Sequence, residues 1–410
     1  GVPIIPGSTE PLKDGDDALE KAISFGFPII LKAAAGGGGR GMRRCDTPEE
    51  VKPAFELVRS EAQKAFGNDD IFIEKFLVEP KHIEVQVLAD KYGNCYHIGE
   101  RDCSLQRRYQ KVVEFAPAWS VNPEIIANIR NDAVKIAKSV GYINAGTLEF
   151  LVDKSGSYYF IEMNPRIQVE HTVSEEVTGI DIVQAQILIE EGYPLSAPEI
   201  GISSQEDVHC NGYSVQLRIT TEDPANNFMP DTGKINVYRS PAGNGIRLDG
   251  GTAHTGAEVT PYYDSLLVKI IAHDRTFKGV TNKAIRAIKE TRIRGVKTNI
   301  PFLINVLQNE TFLSGKCTTT FIENTPELFQ ISLGKDRATK LAEFIGNKIV
   351  NESMGKKPDD LKTIPAPRLL DIGEFTGAKD MFDKLGAKEF TQQLMKDDRL
   401  FITDTTMRDA

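Results

Sequence analysis

The pattern of hydrophobic and polar positions predicts a regular succession of strands and helices. Short apolar runs bounded by turn residues predict strands at 28–33 and 71–76, and an alternating run predicts a strand with one polar face at 82–89. Further strands are predicted at 146–153, 157–163, 213–220 and 265–272, with helices at 47–66, 123–140, 179–191 and 278–290. We therefore expect an α/β (α+β) fold in which an antiparallel sheet carries flanking helices.

The helix predicted at 47–66 begins with a clear amino-terminal signal. Thr47 suits the capping position, Pro48 suits the first helical position, and Glu50 follows the threonine by three residues. This combination predicts a capping box, in which each of the two polar side chains bonds a backbone N–H of the other residue.

The pattern of residue types changes near residues 76 and 330, which predicts domain boundaries there. No repeat of fixed period is present in the sequence. The alternating strand at 82–89 opens a larger unit after a small first one. From about residue 330 the sequence is helical in pattern, rich in lysine and interrupted by prolines at 364–367, which predicts a connector or a small accessory domain.

Composition excludes several classes of protein. The chain has 410 residues, of which 40% are hydrophobic and 26% charged, and no apolar run approaches the roughly 18 residues of a membrane span. A formal net charge of −9 argues against nucleic-acid binding. The first residues do not resemble a secretory signal, and the five scattered cysteines include no Cys-x-x-Cys pair. We therefore expect an intracellular protein with reduced thiols and neither membrane nor nucleic acid as a partner.

A run of glycines at 36–39 follows the first predicted strand and lies between Lys32 and Arg40. Glycines let backbone N–H groups surround an anion, so this loop, including Gly37 and Gly38, is a candidate phosphate-binding element. It is not a P-loop, because the lysine precedes the glycines. The alternative interpretation is a mobile surface loop.

Two alternating runs on either side of residues 155–156 predict a β-hairpin that places Glu149 directly opposite Glu162. Facing carboxylates destabilise a sheet unless positive charge lies between them. Asn164 points to the same face, and such oxygen ligands suit Mg²⁺ or Mn²⁺ bound together with phosphate. The alternative is that both glutamates face solvent or pair with neighbouring lysine or arginine residues.

Two further groups of polar residues suggest an anion site. Arg166, Gln168 and Glu170 occupy alternate positions, so an extended backbone would align them as a small anion pocket with a base. A cationic cluster at 101–111 could serve the same anion, although charge runs of this kind are usually solvated surfaces.

Together these motifs resemble the biotin carboxylase family of the ATP-grasp superfamily. The matching segments are 32–42, 74–76, 82–86, 100–108, 149, 162–171 and 261–265. They occur in the family's order and cover residues 1–330. The resemblance implies an ATP-grasp fold with a glycine-rich lid at 1–75, the ATP-grasp core and the biotin carboxylase C-terminal subdomain at 76–330, and a mostly helical connector at 331–399.

The resemblance also implies a reaction and a role for each matched residue. ATP and bicarbonate would give carboxyphosphate, which would deliver its carboxyl group to biotin on a carrier domain. The positions that match nucleotide-binding residues are Lys32, Gly37, Gly38, Glu74, Lys75, His82 and Gln106. Those that match ligands of Mg²⁺ or Mn²⁺ are Glu149, Glu162 and Asn164. The bicarbonate pocket is matched by Lys111, Arg166, Gln168 and the backbone of Val169, the base by Glu170, and the residue that stabilises the biotin enolate by Arg218.

The end of the chain carries a second resemblance. Residues 386–399 lead into 400–410, which are similar to the first strand of the carboxyltransferase domain of pyruvate carboxylases, with Arg408 and Asp409 at a pyruvate-binding and a metal-binding position. This favours pyruvate carboxylases, which convert pyruvate to oxaloacetate, over acetyl-CoA and propionyl-CoA carboxylases. It implies carrier and carboxyltransferase domains in one polypeptide, a dimerising biotin carboxylase in a tetrameric parent, an acetyl-CoA effector, and a cytoplasmic or mitochondrial location.

The sequence departs from the family's pattern at three points. The amino-terminal subdomain of the family has no counterpart here, so we expect a fragment whose own activity is reduced or absent. Tyr109 stands where the family usually has histidine, and no Met-Lys-Met biotinylation segment is present. The alternatives are another ATP-grasp ligase or acyl-CoA carboxylase, and a fragment that only binds nucleotide or dimerises.

Overall fold

A computed structural model of the chain describes residues 1–35, 41–251, 253–331, 341–342, 344–347, 350, 377–397 and 399. The first unit contains helix α1 (Gly15–Phe25), strands β1 (Ile29–Ala33) and β2 (Met42–Cys45), helix α2 (Pro48–Phe66) and strand β3 (Ile71–Lys75). The strands form an antiparallel sheet in the order β2-β1-β3.

Alternation along β1 and β3 determines what each face of this small sheet does. Ile29, Leu31 and Ile73 are buried in a core shared with α1 and α2. Lys32 and Glu74 lie on the opposite face, because successive side chains in a strand point to opposite sides. The sheet therefore presents its charged face away from its own core.

The second unit is built on a larger set of elements. Its strands are β4 (Lys81–Ala89), β5 (Cys95–Arg107), β6 (Gln110–Ala116), β7 (Asn144–Val152), β8 (Tyr158–Asn164), β9 (Tyr213–Thr220), β10 (Glu222–Asp223), β11 (Met229–Pro230), β12 (Gly233–Lys234), β13 (Val237–Arg239), β14 (Ile246–Gly250), β15 (Glu258–Val259), β16 (Leu266–Asp274) and β17 (Arg292–Arg294). Its helices are α3 (Pro123–Ser139), α4 (His171–Thr178), α5 (Ile182–Glu190), α6 (Phe277–Glu290), α7 (Ile300–Gln308) and α8 (Glu310–Leu313), and α9 (Ala378–Leu394) follows in the predicted connector.

An eight-stranded sheet organises this unit, in the order β14-β16-β9-β6-β5-β4-β7-β8, and every pairing in it is antiparallel. Three two-stranded ribbons, β10-β11, β12-β15 and β13-β17, accompany it. Helix α3 covers one part of the sheet, and helices α6 to α8 cover another. The predicted antiparallel sheet with flanking helices is confirmed.

The central strands are hydrophobic on one face and polar on the other. Ile83, Val85 and Val87 of β4 are packed in the core beneath α3. The intervening His82, Glu84 and Gln86 are also buried, although they are polar. Burying polar groups costs free energy unless they are paired with one another. A buried polar face in the middle of a sheet therefore indicates a functional site.

The predicted hairpin is confirmed in its essential pairing. Strands β7 and β8 place Glu149 opposite Glu162, but Phe150 pairs with Phe160 through a bulge. The loop has three residues, 154–156, and is centred on Ser155, since Asp153 N–H donates to the Ser157 carbonyl; the two-residue or four-residue loop centred on 155–156 is therefore wrong. The bulge adds one residue to β8 and so restores the expected pair.

The predicted start of α2 is only partly correct. Thr47 is the capping residue and Pro48 the first helical residue, as expected. The capping box is wrong, because the Thr47 side chain makes no capping hydrogen bond and Glu50 accepts instead from the Asp46 N–H at 2.7 Å. The glutamate therefore reaches one residue further back than the motif requires.

Among the described residues, no helix combines the length and the apolar character needed to cross a membrane. The predictions for Gly37, Gly38, Arg40, Arg408, Asp409 and most of the connector concern positions outside the described residues.

Candidate functional site

Four charged residues form one row across the polar face of the central sheet. Arg101 of β5 pairs with Glu84 of β4, Glu84 pairs with Glu149 of β7, and Glu149 pairs with Glu162 of β8. Directly opposed residues in a sheet share a face, so one row carries a guanidinium and three carboxylates. The excess of negative charge requires further cations nearby.

Lys111, from strand β6, supplies one of these cations. Its Nζ contacts Glu84 Oε1, lies 3.1 Å from Glu149 Oε1 and lies 2.7 Å from Glu170 Oε1. Burial alone would lower the pKa of Lys111, but Glu170 and Glu84 outweigh it and hold that pKa well above its usual value. The lysine is therefore charged and joins three carboxylates from different parts of the chain.

Arg101 is wholly buried and fills the centre of the row. Its guanidinium donates to Glu84 Oε2 at 2.9 Å, to Gln86 Oε1 at 2.8 Å and to Gln168 Oε1 at 3.2 Å, as well as to two hydroxyl groups. The alternative of a solvated cationic cluster is thus wrong for this residue. Arg101 therefore has a structural role in the site, because its guanidinium bonds both Glu84 and Gln168 and holds their side chains next to each other.

Glu149, Glu162 and Asn164 come together as the hairpin predicts. Asn164 Nδ2 donates to Glu149 Oε1 at 3.0 Å and to Glu162 Oε1 at 3.3 Å. Glu149 also accepts from Gln168 Nε2 at 3.0 Å and pairs with Lys111, so the alternative of a lysine partner holds for this carboxylate. Glu162 is exposed and has room for a further ligand. Two facing carboxylates and a reorientable amide suit a hard divalent cation.

His82 borders the same carboxylates from strand β4. Its Nε2 lies 2.9 Å from Glu149 Oε2, and its Nδ1 lies 2.6 Å from Gln106 Nε2. Burial raises the pKa of Glu149, but His82, Lys111 and the amide hydrogen bond outweigh it and keep the pKa well below the usual range. Glu149 is therefore ionised, as a cation ligand must be.

Glu170, at the amino-terminal cap of α4, is held between two cations. Lys111 contacts its Oε1, and Arg218 Nη2 donates to its Oε2 at 3.0 Å. Arg218 in turn donates through Nε to Glu114 Oε1 at 2.6 Å. Burial raises the pKa of Glu170, but Lys111 and Arg218 outweigh it and place the pKa well below its usual value. The candidate base is therefore ionised before any ligand arrives.

A cavity of about 790 Å³ opens beside this cluster. The predicted anion-site residues all line it: Lys111, Arg166, Gln168, Val169, Glu170 and Arg218. The β5–β6 turn with Tyr109 and the segment containing Tyr263 and Asp264 form other parts of its wall. The predicted set of Arg166, Gln168 and Glu170 is thus brought together, although by a turn leading into α4 and not by an extended strand.

The predicted nucleotide-binding residues are divided between the two sheets. Lys32 and Glu74 form an ion pair on the charged face of the first sheet. The Lys75 side chain lies on the other face, where its Nζ donates to the Gly26 and Phe27 carbonyls at 2.7 and 3.0 Å. His82 and Gln106 contact each other on the central sheet, so the structure pairs the predicted residues within each sheet.

Two charged residues of the cluster, Glu84 and Glu114, have no role in the predictions from the sequence, and Arg101 was predicted only as part of the cationic cluster at 101–111. All three are buried. The polar alternation of β4 signals Glu84, since a solvated face was the only other interpretation of that pattern. Glu114 gives no comparable signal, and the charge run at 101–111 does not indicate the burial of Arg101, because both depend on pairings between strands that are separated in sequence.

Two family models together match most of the chain, although their boundary at residues 198–216 lies inside the second unit. Residues 1–198 match the family model described as carbamoyl-phosphate synthase L chain, ATP binding domain, and residues 216–324 match the one described as biotin carboxylase C-terminal domain. Pyruvate carboxylase from Staphylococcus aureus is 50% identical over 414 residues, which cover 100% of this chain and 36% of that protein. The chain therefore spans about a third of the length of this curated relative.

Solved structures agree with these matches. The biotin carboxylase domain of 2-oxoglutarate carboxylase from Hydrogenobacter thermophilus, a dimer in complex with MgADP, ADP and bicarbonate, has 48% identity and a TM-score of 0.76 over 81% of this chain and 72% of that one. Pyruvate carboxylase from Rhizobium etli with the allosteric activator acetyl coenzyme A has 44% identity and a TM-score of 0.78 over 100% of this chain and 36% of that one.

An ATP-binding domain followed by a biotin carboxylase C-terminal domain defines the class as ATP-grasp carboxylases, which are ligases. The chain belongs to the biotin carboxylase family within that class. The resemblance drawn from the sequence motifs is therefore confirmed.

Proposed function

We propose that this chain contains the site for the first half-reaction of a longer biotin-dependent carboxylase, in which ATP and bicarbonate give carboxyphosphate and the carboxyl group passes to biotin. One observation carries the proposal: the Lys111 ammonium contacts both Glu149 of the candidate cation site and Glu170, the candidate base. It joins the place where phosphoryl transfer would be assisted to the place where bicarbonate would lose its proton. The related structure from Hydrogenobacter thermophilus contains both MgADP and bicarbonate, which supports a site with these two parts.

In this proposal bicarbonate enters the cavity between Lys111, Arg166 and Arg218, and Glu170 removes its proton. An anion that draws Lys111 and Arg218 toward itself weakens their bonds to Glu170, and this raises the Glu170 pKa when proton transfer is needed. A bicarbonate oxygen then bonds to the γ-phosphorus while ADP leaves. Carboxyphosphate breaks down to carbon dioxide and phosphate, and the phosphate takes the proton from the ureido N–H of biotin. The ureido nitrogen then bonds to carbon dioxide, while Arg218 stabilises the enolate form of biotin from which this bond is made.

Glu149, Glu162 and Asn164 would hold Mg²⁺ or Mn²⁺. The residues fit this cation, because two carboxylates already face each other and the amide between them can turn its oxygen toward the same point. When bound, the cation would neutralise charge on the ATP phosphates during phosphoryl transfer. Gln168 and Lys111 both donate to Glu149 Oε1 and so hold its carboxylate in place.

Nucleotide would lie between the two sheets, with Lys32 and Glu74 on one side and His82 and Gln106 on the other. Lys75, Gly37 and Gly38 remain candidate nucleotide-binding residues because of the resemblance.

We propose four divisions of the chain: a lid at 1–75, the core with the C-terminal subdomain at 76–330, a connector at 331–399, and the start of the carboxyltransferase domain at 400–410.

For the complete protein we propose the conversion of pyruvate to oxaloacetate, with carrier and carboxyltransferase domains as partners, a dimerising biotin carboxylase in a tetramer, and acetyl-CoA as effector. The pyruvate carboxylase relatives, one of them solved with acetyl coenzyme A, support this.

We also propose a reducing intracellular compartment. All five cysteines lie in the described part of the chain and none is in a disulfide, which suits the cytoplasm and the mitochondrial matrix equally.

The test measures ADP release by the complete polypeptide that contains this chain, with bicarbonate, Mg²⁺ and free biotin varied separately. We expect ADP release to depend on bicarbonate and to rise with biotin. Glu170→Gln should reduce it by at least about 100-fold, because a neutral amide cannot accept the proton. Glu162→Gln should abolish metal-dependent turnover while leaving the fold intact, since its side chain is exposed.

Two results would contradict the proposal. ADP release that does not depend on bicarbonate would indicate another ATP-grasp ligase, and nucleotide binding without any ADP release would indicate a binding fragment. Turnover by Glu162→Gln at the wild-type rate and metal requirement would remove this residue from the cation site.

A further inference from the structure

The backbone that carries the candidate base is held by two side chains from outside the cavity. His171 Nδ1 lies 2.7 Å from the Gln168 carbonyl oxygen, and Lys269 Nζ donates to the Val169 carbonyl at 3.0 Å. A carbonyl oxygen only accepts, so the histidine must carry its hydrogen on Nδ1. Two consecutive peptide groups are thus fixed immediately before Glu170.

Fixing a carbonyl also fixes the N–H on the other side of the same peptide. The peptide group is planar and trans, so the Val169 N–H points away from the Gln168 carbonyl that His171 holds. Gln168, Val169 and Glu170 all line the cavity. The His171 ring, together with the His171 N–H at 3.2 Å, therefore holds the peptide group whose N–H belongs to Val169, a residue of the wall where the bicarbonate would bind.

Lys269 acts from the neighbouring strand in register with a cavity residue. It pairs directly with Arg218 across β16 and β9, so both side chains leave the same face of the sheet. Arg218 bonds the Glu170 carboxylate while Lys269 bonds the carbonyl one residue earlier. Asp249, paired with Lys269 on the other side, keeps the ammonium in place at 3.1 Å.

We propose that His171 and Lys269 are positioning residues for bicarbonate, which aim the Val169 N–H and the Glu170 carboxylate by holding the Gln168 and Val169 carbonyls. This inference rests on the proposed function and extends it to two residues that do not touch the substrate. Both act through the backbone, so their removal should weaken bicarbonate binding and not ATP binding.

The experiment uses His171→Leu, His171→Asn and Lys269→Met in the complete polypeptide, with KM for bicarbonate, KM for ATP and kcat measured separately. His171→Leu and Lys269→Met should each raise the bicarbonate KM about tenfold, as expected for one lost hydrogen bond, while the ATP KM stays within about twofold. His171→Asn should restore the bicarbonate KM to within about threefold of the wild type, because its amide nitrogen can stand where Nδ1 stood.

Matched controls come from strand β16 and the helix that follows it. His273 Nε2 lies 2.8 Å from the Asn211 carbonyl oxygen, and Lys283 Nζ donates to the His273 carbonyl at 3.0 Å, both away from the cavity. His273→Leu and Lys283→Met remove equivalent bonds and should leave the bicarbonate KM unchanged.

An active wild type with unchanged bicarbonate KM in both test variants would overturn this inference alone. Equal increases of the bicarbonate and ATP KM values, or increases as large in the controls, would also overturn it, since they indicate general loosening. Absence of bicarbonate-dependent ADP release in the wild type would overturn the proposed function and this inference with it.

Discussion

The Arg101 side chain is fully buried on the polar face of the central sheet, where it supplies the hydrogen bonds that its partners would otherwise make with water. Its guanidinium makes two bonds to Glu84 Oε2, at 2.9 and 3.2 Å, and others to buried amides and hydroxyls. Glu84 is fully buried as well, and burial raises its pKa even though Lys111 opposes the rise. The buried carboxylate therefore has two cationic partners, Lys111 and Arg101, which together offset part of the cost of its burial.

We expect Arg101→Met to lower the free energy of unfolding by about 3–5 kcal/mol, because it removes one of the two cations that pair with buried Glu84 and leaves several buried acceptors without a donor. Urea denaturation followed by circular dichroism measures the change. Arg286→Met is the control: its exposed pair with Glu290 at 2.9 Å should contribute under about 0.5 kcal/mol. Equal losses in the two variants would show that burial of the pair has no special weight.

At the scale of elements, the β5–β6 hairpin combines a tight turn with strain. Arg107 pairs with Gln110, so the loop has two residues, Arg108 and Tyr109, with φ of 49° and 66°. A two-residue hairpin turn with positive φ at both positions is normally built from asparagine and glycine. Two residues with large side chains are strained here, and such strain is often kept at functional sites.

A double variant that combines Arg108→Asn with Tyr109→Gly should raise the free energy of unfolding by about 1–2 kcal/mol, because asparagine and glycine adopt positive φ with less strain. Tyr109 lines the cavity, so we expect the same change to weaken ligand binding. Thermal unfolding and the KM values for ATP and bicarbonate test the two effects. The single change Arg108→Asn serves as control, with a smaller gain. A loss of stability in the double variant would contradict the strain argument.

The elements predicted from the sequence are those whose hydrophobic pattern is clean. Strand β7 and helix α3 follow the expected periods, and the Glu149–Glu162 pair was found because the bulge restored its register. Strands β5 and β6 were missed because their inward faces carry charge, as Arg101 and Glu114 illustrate. Helix α4 was missed since it is short and buried on nearly all sides despite polar residues. The charged side chains that are buried to form the candidate site are therefore also the reason why the hydrophobic pattern did not predict these elements.

At the scale of the whole molecule, the chain contains several separate hydrophobic cores. Cys45 lies in the core of the first unit, Cys95 in the core beneath α3, and Cys317 in the core beneath α6 to α8. The first unit is tied to the rest by the chain that follows β3 and by the amino-terminal segment, in which Ile4 pairs with Phe160. A unit with its own core and few ties should open at lower cost than the central sheet.

The cysteines allow this opening to be measured, because each buried thiol reports on one core. Burial raises the pKa values of Cys45 and Cys95 to about 11, so these thiols react only when their surroundings open. Exposed Cys210 should be alkylated in the native state and serves as the internal control. In increasing urea, we expect Cys45 to be alkylated at a lower concentration than Cys95 and Cys317, as followed by mass spectrometry of the peptides. A common midpoint for the three would contradict this expectation, because it would mean that the first unit and the central sheet unfold together.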